Sequence, residues 1–235
     1  MHIGILVTNT DESVFAKNHP KDGEKFRALL QPLRPDWRFT AVQVKDGEFP
    51  GAVDGFDGYV ITGSPASANG NEAWIDRLFD FIRELDASKI PTVGVCFGHQ
   101  AIARALGGAV GKNPGGWGFG ISPTLFPARE TWMSPPHATL NLYAAHNEQV
   151  TKLPEGAVVL GGSASCPIGS YKIGNHIFTT EYHPEMTPDF ITDLSHEIEG
   201  YIGSDIAEKA RAQFQSPADG AVFAQWMVQF LEMPR

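Results

Sequence analysis

The sequence predicts an α/β fold: a three-layer open sheet, mostly parallel, with an antiparallel extension. Three observations lead there. Apolar runs with β-branched residues at 2–8, 58–62 and 90–95 alternate with amphipathic helical patterns, the rhythm of a buried parallel sheet joined by crossover helices. The third run turns through Gly94-Val95-Cys96-Phe97-Gly98 directly into a helical pattern, the Gly-x-nucleophile-x-Gly turn with cysteine at its centre. Beyond residue 107 the alternation gives way to short strand-like pieces between glycine-rich loops, which read as partly antiparallel.

The bulk properties agree. A chain of 235 residues with 42% hydrophobic and 19% charged residues suits one large globular domain with an ample core. The formal net charge of −9 and the lack of a basic run argue against nucleic acid as a partner. No apolar run reaches transmembrane length, so no membrane partner is expected. The N-terminal Met1-His2-Ile3-Gly4-Ile5-Leu6-Val7 reads as a first strand, not a signal peptide. Two cysteines, Cys96 and Cys166, one of them on the turn, fit a reducing cytoplasm better than a disulfide framework. No C-x-x-C pair is present, so no metal and no cofactor are expected.

The elements follow in order. Residues 2–8 form a buried strand and 9–21 a polar loop. A helix covers 23–33 with Phe26, Leu29 and Leu30 inward, and residues 37–44 alternate as a half-exposed strand does. The strand at 58–62 ends in Gly63-Ser64-Pro65-Ala66-Ser67, and the helix at 71–87 turns Trp74, Ile75, Leu78, Phe81, Ile82 and Leu85 to one side. After the elbow helix come glycine-dense segments at 107–120 and strand-like pieces at 119–126, 138–145, 157–162, 168–173 and 176–182, read as an extension of the sheet. Pro127 to His137 carries three prolines and no periodic pattern, and reads as a mobile loop. Helices are expected at 188–201, 204–214 and 217–232, starting at Thr187-Pro188, with Trp226, Phe230 and Leu231 giving the last an apolar side. We expect a single domain over 1–235, with 188–235 as a C-terminal helical extension.

The elbow carries the chemistry. Its glycines let strand and helix approach around a sharp turn that lifts the Cys96 side chain into a cleft. The thiol faces a helix N-terminus, which favours thiolate. The plain alternative is a small buried apolar cysteine. A nucleophilic cysteine needs a base, and the base an orienting partner. His183 stands at a predicted strand end on the same sheet edge, with Glu185 two residues on able to fix its tautomer. His146 is the main rival, and His99 reads as packing or rim. The loop at Gly63–Ser67 offers amides to an oxyanion beside that of Phe97, although a plain βα turn is the alternative. Cysteine, histidine and glutamate on an α/β sheet point to acyl transfer through a thioester. Gly115-Gly116-Trp117-Gly118 is followed by no helical pattern, so a dinucleotide reading fails its context test.

Together, Gly94-Val95-Cys96-Phe97-Gly98-His99-Gln100 and Glu181-Tyr182-His183-Pro184-Glu185 resemble the class I glutamine amidotransferases. Thr62-Gly63-Ser64-Pro65, Gly107-Gly108 through Gly120, and Ala145-His146-Asn147-Glu148-Gln149-Val150 are similar to three further family segments. The resemblance spans roughly residues 3 to 190. Within the family it lies nearest the glutaminase domain of GMP synthase and the stand-alone γ-glutamyl peptidases. It implies a flavodoxin-like sheet and hydrolysis of a γ-glutamyl amide. Cys96 is then the nucleophile, His183 the acid and base, and Glu185 its orienter. The amides of Ser64 and Phe97 form the oxyanion hole, and Gly63, Gln100, His146 and Asn147 belong to the substrate pocket. The implied partner is a small γ-glutamyl substrate. No synthetase-like segment follows in this chain, so a glutaminase subunit would serve a separate synthetase. A catalytically silent binding module is the third possibility, and the intact Cys96, His183 and Glu185 argue against it.

Overall fold

The computed structural model describes residues 1–216 and 218–234. Positions 217 and 235, at the start of the expected last helix and the end of the expected domain, lie outside the described residues. The core is a seven-stranded sheet. Five strands run parallel: β1 (His2–Leu6), β2 (Arg38–Val42), β3 (Gly58–Ile61), β4 (Thr92–Val95) and β11 (Ile177–Thr180). Two antiparallel strands, β9 (Ala157–Gly161) and β10 (Ser170–Ile173), extend one edge, giving the order β2-β1-β3-β4-β11-β10-β9. The apolar runs of β3, β4 and β11 are buried along their whole length, because helices cover both faces.

Alternation along each strand divides the core in two. Ile3, Ile5, Val60, Val93, Val95 and Phe178 face one side, where Phe26 and Leu30 of α2 (Asp22–Leu30) meet Phe223, Trp226 and Phe230 of α8 (Gly220–Leu231). Leu6, Tyr59, Ile61 and Ile177 face the other, against α3 (Ala73–Ala87) and α4 (Phe97–Ala105). The expected inward residues of α3 are buried except Trp74, which is half-buried and packs against this cluster.

Three expectations are corrected. The glycine-dense segment contains a strand, β5 (Ala109–Lys112), which pairs antiparallel with another unanticipated strand, β8 (Glu148–Lys152). Pairing partners some forty residues away supply the order that local pattern did not show. The pieces at 119–126 and 138–145 do not extend the main sheet. They form a separate ribbon, β6 (Gly118–Leu125) with β7 (Thr139–His146), which packs against α7 (Ser204–Gln213). The proline-rich loop is held down: Trp132 and Met133 are buried, and Trp226 Nε1 donates to the Pro135 carbonyl at 2.9 Å. Ahead of α2 the polar loop carries one helical turn, α1 (Val14–Lys17). Helix α5 (Pro188–Glu197) starts as expected, with the Thr187 hydroxyl accepting from the Phe190 amide, and a single turn, α6 (Glu199–Ile202), leads on to α7. Among the described residues no helix is long and apolar enough to cross a membrane.

Candidate active site

Cys96 sits between β4 and α4 with φ 50° and ψ −105°, a conformation that costs a non-glycine residue about 1–3 kcal/mol and that the surrounding structure must impose. The neighbouring glycines show how. A Cβ on Gly94 would lie 2.8 Å from the Gly98 carbonyl oxygen, and a Cβ on Gly98 would collide with the Ile61 carbonyl. Strand, turn and helix therefore touch through bare backbone. The ladder continues past the elbow, where the Cys96 amide donates to the Thr180 carbonyl at 2.8 Å. This seats the thiol at the carboxyl end of a central strand, where α/β sheets place their sites.

His183 follows β11, the strand paired with β4. Its amide donates to the Tyr143 carbonyl at 2.8 Å, so the β6–β7 ribbon anchors it as well. Its Nδ1 lies 2.7 Å from Glu185 Oε1, and both side chains are buried. With Nδ1 engaged, Nε2 is the ring nitrogen left without a hydrogen-bond partner among the described residues. Gly63 closes the group, since a Cβ there would lie 3.1 Å from His183 Cε1 and 3.5 Å from Cys96 Cβ.

Burial pushes the Cys96 thiol up, and the adjacent His183 pulls it partly back. Burial alone would push the His183 imidazole down. The Glu185 carboxylate and the Cys96 sulfur outweigh it and hold His183 well above its usual 6.5. The pair titrates as a unit, and the environment makes His183 a stronger base toward the Cys96 proton.

The loop after β3 is fixed from below. The Thr8 hydroxyl lies 2.9 Å from the Thr62 carbonyl and 3.0 Å from that of Gly63. Farther along, Ser67 Oγ donates to Glu148 Oε2 at 2.6 Å and Asn69 Nδ2 to the Val110 carbonyl at 3.1 Å. These bonds tie the loop to β5 and β8. A cleft of about 180 Å³ opens over the elbow. Gly63, Ser64, Cys96, Ala145, His183 and Glu185 line it together with an apolar outer wall of Phe15, Trp117, Phe190 and Leu194, and Asn9, Asp11, Asp22 and Lys25 line it as well.

Similarity to known proteins agrees with this geometry. Residues 31–191 match the family profile described as glutamine amidotransferase class-I. The chain belongs to the class I glutamine amidotransferase family. This class I chain is 32% identical over 184 residues to γ-glutamyl peptidase 3 of Arabidopsis thaliana, covering 74% of each protein. It is 31% identical over 134 residues to a glutamine-hydrolyzing GMP synthase subunit of Saccharolobus solfataricus, covering 56% of this chain and 68% of that one. A glutamine amidotransferase from Thermotoga maritima shares the fold with a TM-score of 0.77 at 15% identity, covering 99% of this chain and 98% of that one. The chain is a hydrolase of the glutamine amidotransferase type.

The remaining expected residues of this class I site stand outside the cleft walls. Gln100 is buried, with Nε2 donating to the Glu148 carbonyl at 3.0 Å and to Glu181 Oε1 at 2.8 Å. His146 is buried with Nδ1 3.0 Å from the Glu148 carbonyl, and burial pushes it down to about 4. Asn147 is exposed, and its carbonyl accepts from the Asn113 amide at 2.8 Å. His99 is fully buried beside Tyr171. Cys166 is buried in the core. Among the described residues no group of three His, Cys, Asp or Glu side chains is placed to hold a metal ion. Sequence reasoning missed the outer wall and Glu181. Phe190 could have been suspected from its place five residues after Glu185. Glu181 had only one signal, an acidic residue closing a buried strand pattern.

Proposed function

We propose that the protein hydrolyses a γ-glutamyl amide bond, in glutamine or in a γ-glutamyl peptide or conjugate, through a thioester on Cys96. The observation that supports this reading most is His183, held by Glu185 at 2.7 Å and packed beside Cys96 on its elbow. In this reading Cys96 Sγ attacks the γ-carbonyl carbon while its proton passes to His183 Nε2. The carbonyl oxygen gains the negative charge and is held by the amides of Ser64 and Phe97. The intermediate collapses, the C–N bond breaks, and the nitrogen leaves with the His183 proton. Water then attacks the thioester and gives a proton to His183. The C–S bond breaks, the proton on His183 returns to sulfur, and the glutamyl acid departs and loses its remaining proton to solvent. Glu185 keeps the hydrogen on Nδ1, so that Nε2 meets the reacting atoms. Gly63 keeps cysteine and histidine close. Gln100 helps to bind the glutamyl end of the substrate, and the backbone around His146 and Asn147 lines the same pocket.

Two leaving groups compete. The γ-glutamyl peptidase relative and the apolar outer wall beside His183 favour an amine larger than ammonia. The relative that is one part of a GMP synthase favours a glutaminase that serves a separate synthetase. Ammonia release from glutamine and cleavage of a γ-glutamyl dipeptide panel by the purified chain decide between them. Cys96→Ala should abolish both activities, and the wild-type protein quenched in acid should carry one γ-glutamyl group on Cys96. Full turnover by Cys96→Ala would end the thioester reading.

A further inference from the structure

A second set of buried polar groups lies behind Cys96, and the mechanism above does not use it. Glu181, just after β11, is fully buried. Its Oε1 accepts from Gln100 Nε2 at 2.8 Å. Its Oε2 has no hydrogen-bond partner among the described residues and faces His99 Nε2, equally buried and equally unpartnered, across 3.5 Å. Two acceptors facing each other in such a place would be costly.

One arrangement of the hydrogens satisfies both atoms. Thr179 has one hydroxyl hydrogen, and it reaches the Tyr171 carbonyl at 3.1 Å. With that hydrogen on the Tyr171 carbonyl, His99 Nδ1, 2.9 Å from the same hydroxyl oxygen, takes the donor role. A neutral imidazole with its hydrogen on Nδ1 has a bare acceptor at Nε2. The Ile168 carbonyl also faces this ring. A bare acceptor calls for a donor at Glu181 Oε2, and only a protonated carboxyl supplies one. Burial acts in the same direction, holding Glu181 well above the usual carboxylate range and pushing His99 down to about 3. In that arrangement the single proton of the pair sits on Glu181.

We propose that Glu181 is a positioning residue, held as a neutral carboxylic acid by His99 and Gln100, and that its neutrality lets the adjacent Cys96 form its thiolate. The inference rests on Cys96 as the nucleophile. Cys96 and Glu181 are close enough to shift each other's titration. The carboxyl is also faced by His183 beyond β11, Glu148 on β8, Tyr171 on β10 and Cys166 ahead of β10. A carboxylate here would add negative charge beside sulfur and oppose the thiolate. Loss of the Glu181 proton at alkaline pH therefore turns activity down. Through Gln100 the same acid ties the elbow to Glu148 and thence to Ser67 of the loop after β3.

Glutamine reproduces the neutral acid, with an amide hydrogen for His99 and an oxygen for Gln100. The test follows Cys96 alkylation by iodoacetamide and kcat/KM against pH in wild type, Glu181→Gln and Glu181→Ala. At neutral pH Glu181→Gln should stay within about threefold of wild type in both readouts, while Glu181→Ala falls about tenfold or more. Wild-type kcat/KM should descend at alkaline pH, and Glu181→Gln should lack that descent. An infrared band of a protonated carboxyl should be present in wild type at neutral pH and absent from Glu181→Gln. Equal damage in both variants, an undamaged Glu181→Ala, a descent that survives in Glu181→Gln, or no such band would each overturn the proposal. Alkylation and the infrared band need no substrate. Absent γ-glutamyl turnover with the alkylation pattern intact would sink the proposed reaction and leave the role of Glu181 standing.

Discussion

A Cβ on Gly94 would lie 2.8 Å from the backbone carbonyl oxygen of Gly98, so the strand entering the elbow and the helix leaving it touch at those two residues. Gly98 is crowded by the Ile61 carbonyl as well. Backbone cannot step aside as a flexible side chain can. Gly98→Ala should destabilise the fold by at least the ~1–3 kcal/mol typical of overpacking. The measurement is the urea midpoint at constant m-value, and an unchanged midpoint would show that the elbow has slack.

Glu185 Oε1 lies 2.7 Å from His183 Nδ1, and in the proposed reaction it orients the imidazole without touching substrate. Glu185→Gln should lower kcat by about 10²–10⁴ while leaving a measurable residue, and should cost less than Cys96→Ala or His183→Ala. Equal losses in steady-state assays would give Glu185 a different role.

His99 and His146 are held neutral by burial, at about 3 and about 4 against an ordinary 6.5. Between those values and 6.5 the unfolded chain binds more protons than the folded one. Stability therefore rises with pH across this window and is lost as pH falls through it. Each histidine contributes about 1.4 kcal/mol per pH unit while the two states differ by one proton. Glu181, held above the usual carboxylate range, acts with the opposite sign above its unfolded value and offsets part of this effect; urea midpoints at falling pH should still drop below 6.5. A His146→Gln variant should show a shallower drop, and an unchanged slope would mean that His146 does not titrate on unfolding.

Phe190 lines the outer cleft wall and holds the Lys25 ammonium 3.6 Å from its ring centroid. Phe190→Ala should raise KM about tenfold or more for γ-glutamyl peptides with a large apolar leaving residue, and change γ-glutamyl-glycine little. A uniform loss across the panel would point to a structural role for the ring.

The sheet was legible where its information is local. β3 and β4 announce themselves through apolar runs, and the elbow through two glycines with a helical pattern directly after them. The amphipathic stripe of α3 and the Thr187 cap were equally readable. β5 and β8 were not, because a four-residue strand such as Ala109–Lys112 exists through its partner and carries no periodicity of its own. Trp132 was hidden for a related reason. Prolines mark a loop, but only the α8 surface beneath it shows that the loop is packed.

The candidate site divides the same way. The sequence by itself determined the glycine-flanked turn at Cys96, the sheet edge shared by Cys96 and His183, and the short step from His183 to Glu185. All three follow from strand direction and a few neighbouring residues. Only the tertiary structure decided that Gln100 and His146 are buried against the Glu148 carbonyl, that α5 lends Phe190 to the cleft, and that Glu181 faces His99. Those relations join residues distant in the chain, and burial decides them: an acidic side chain reads as exposed until packing removes the water around it.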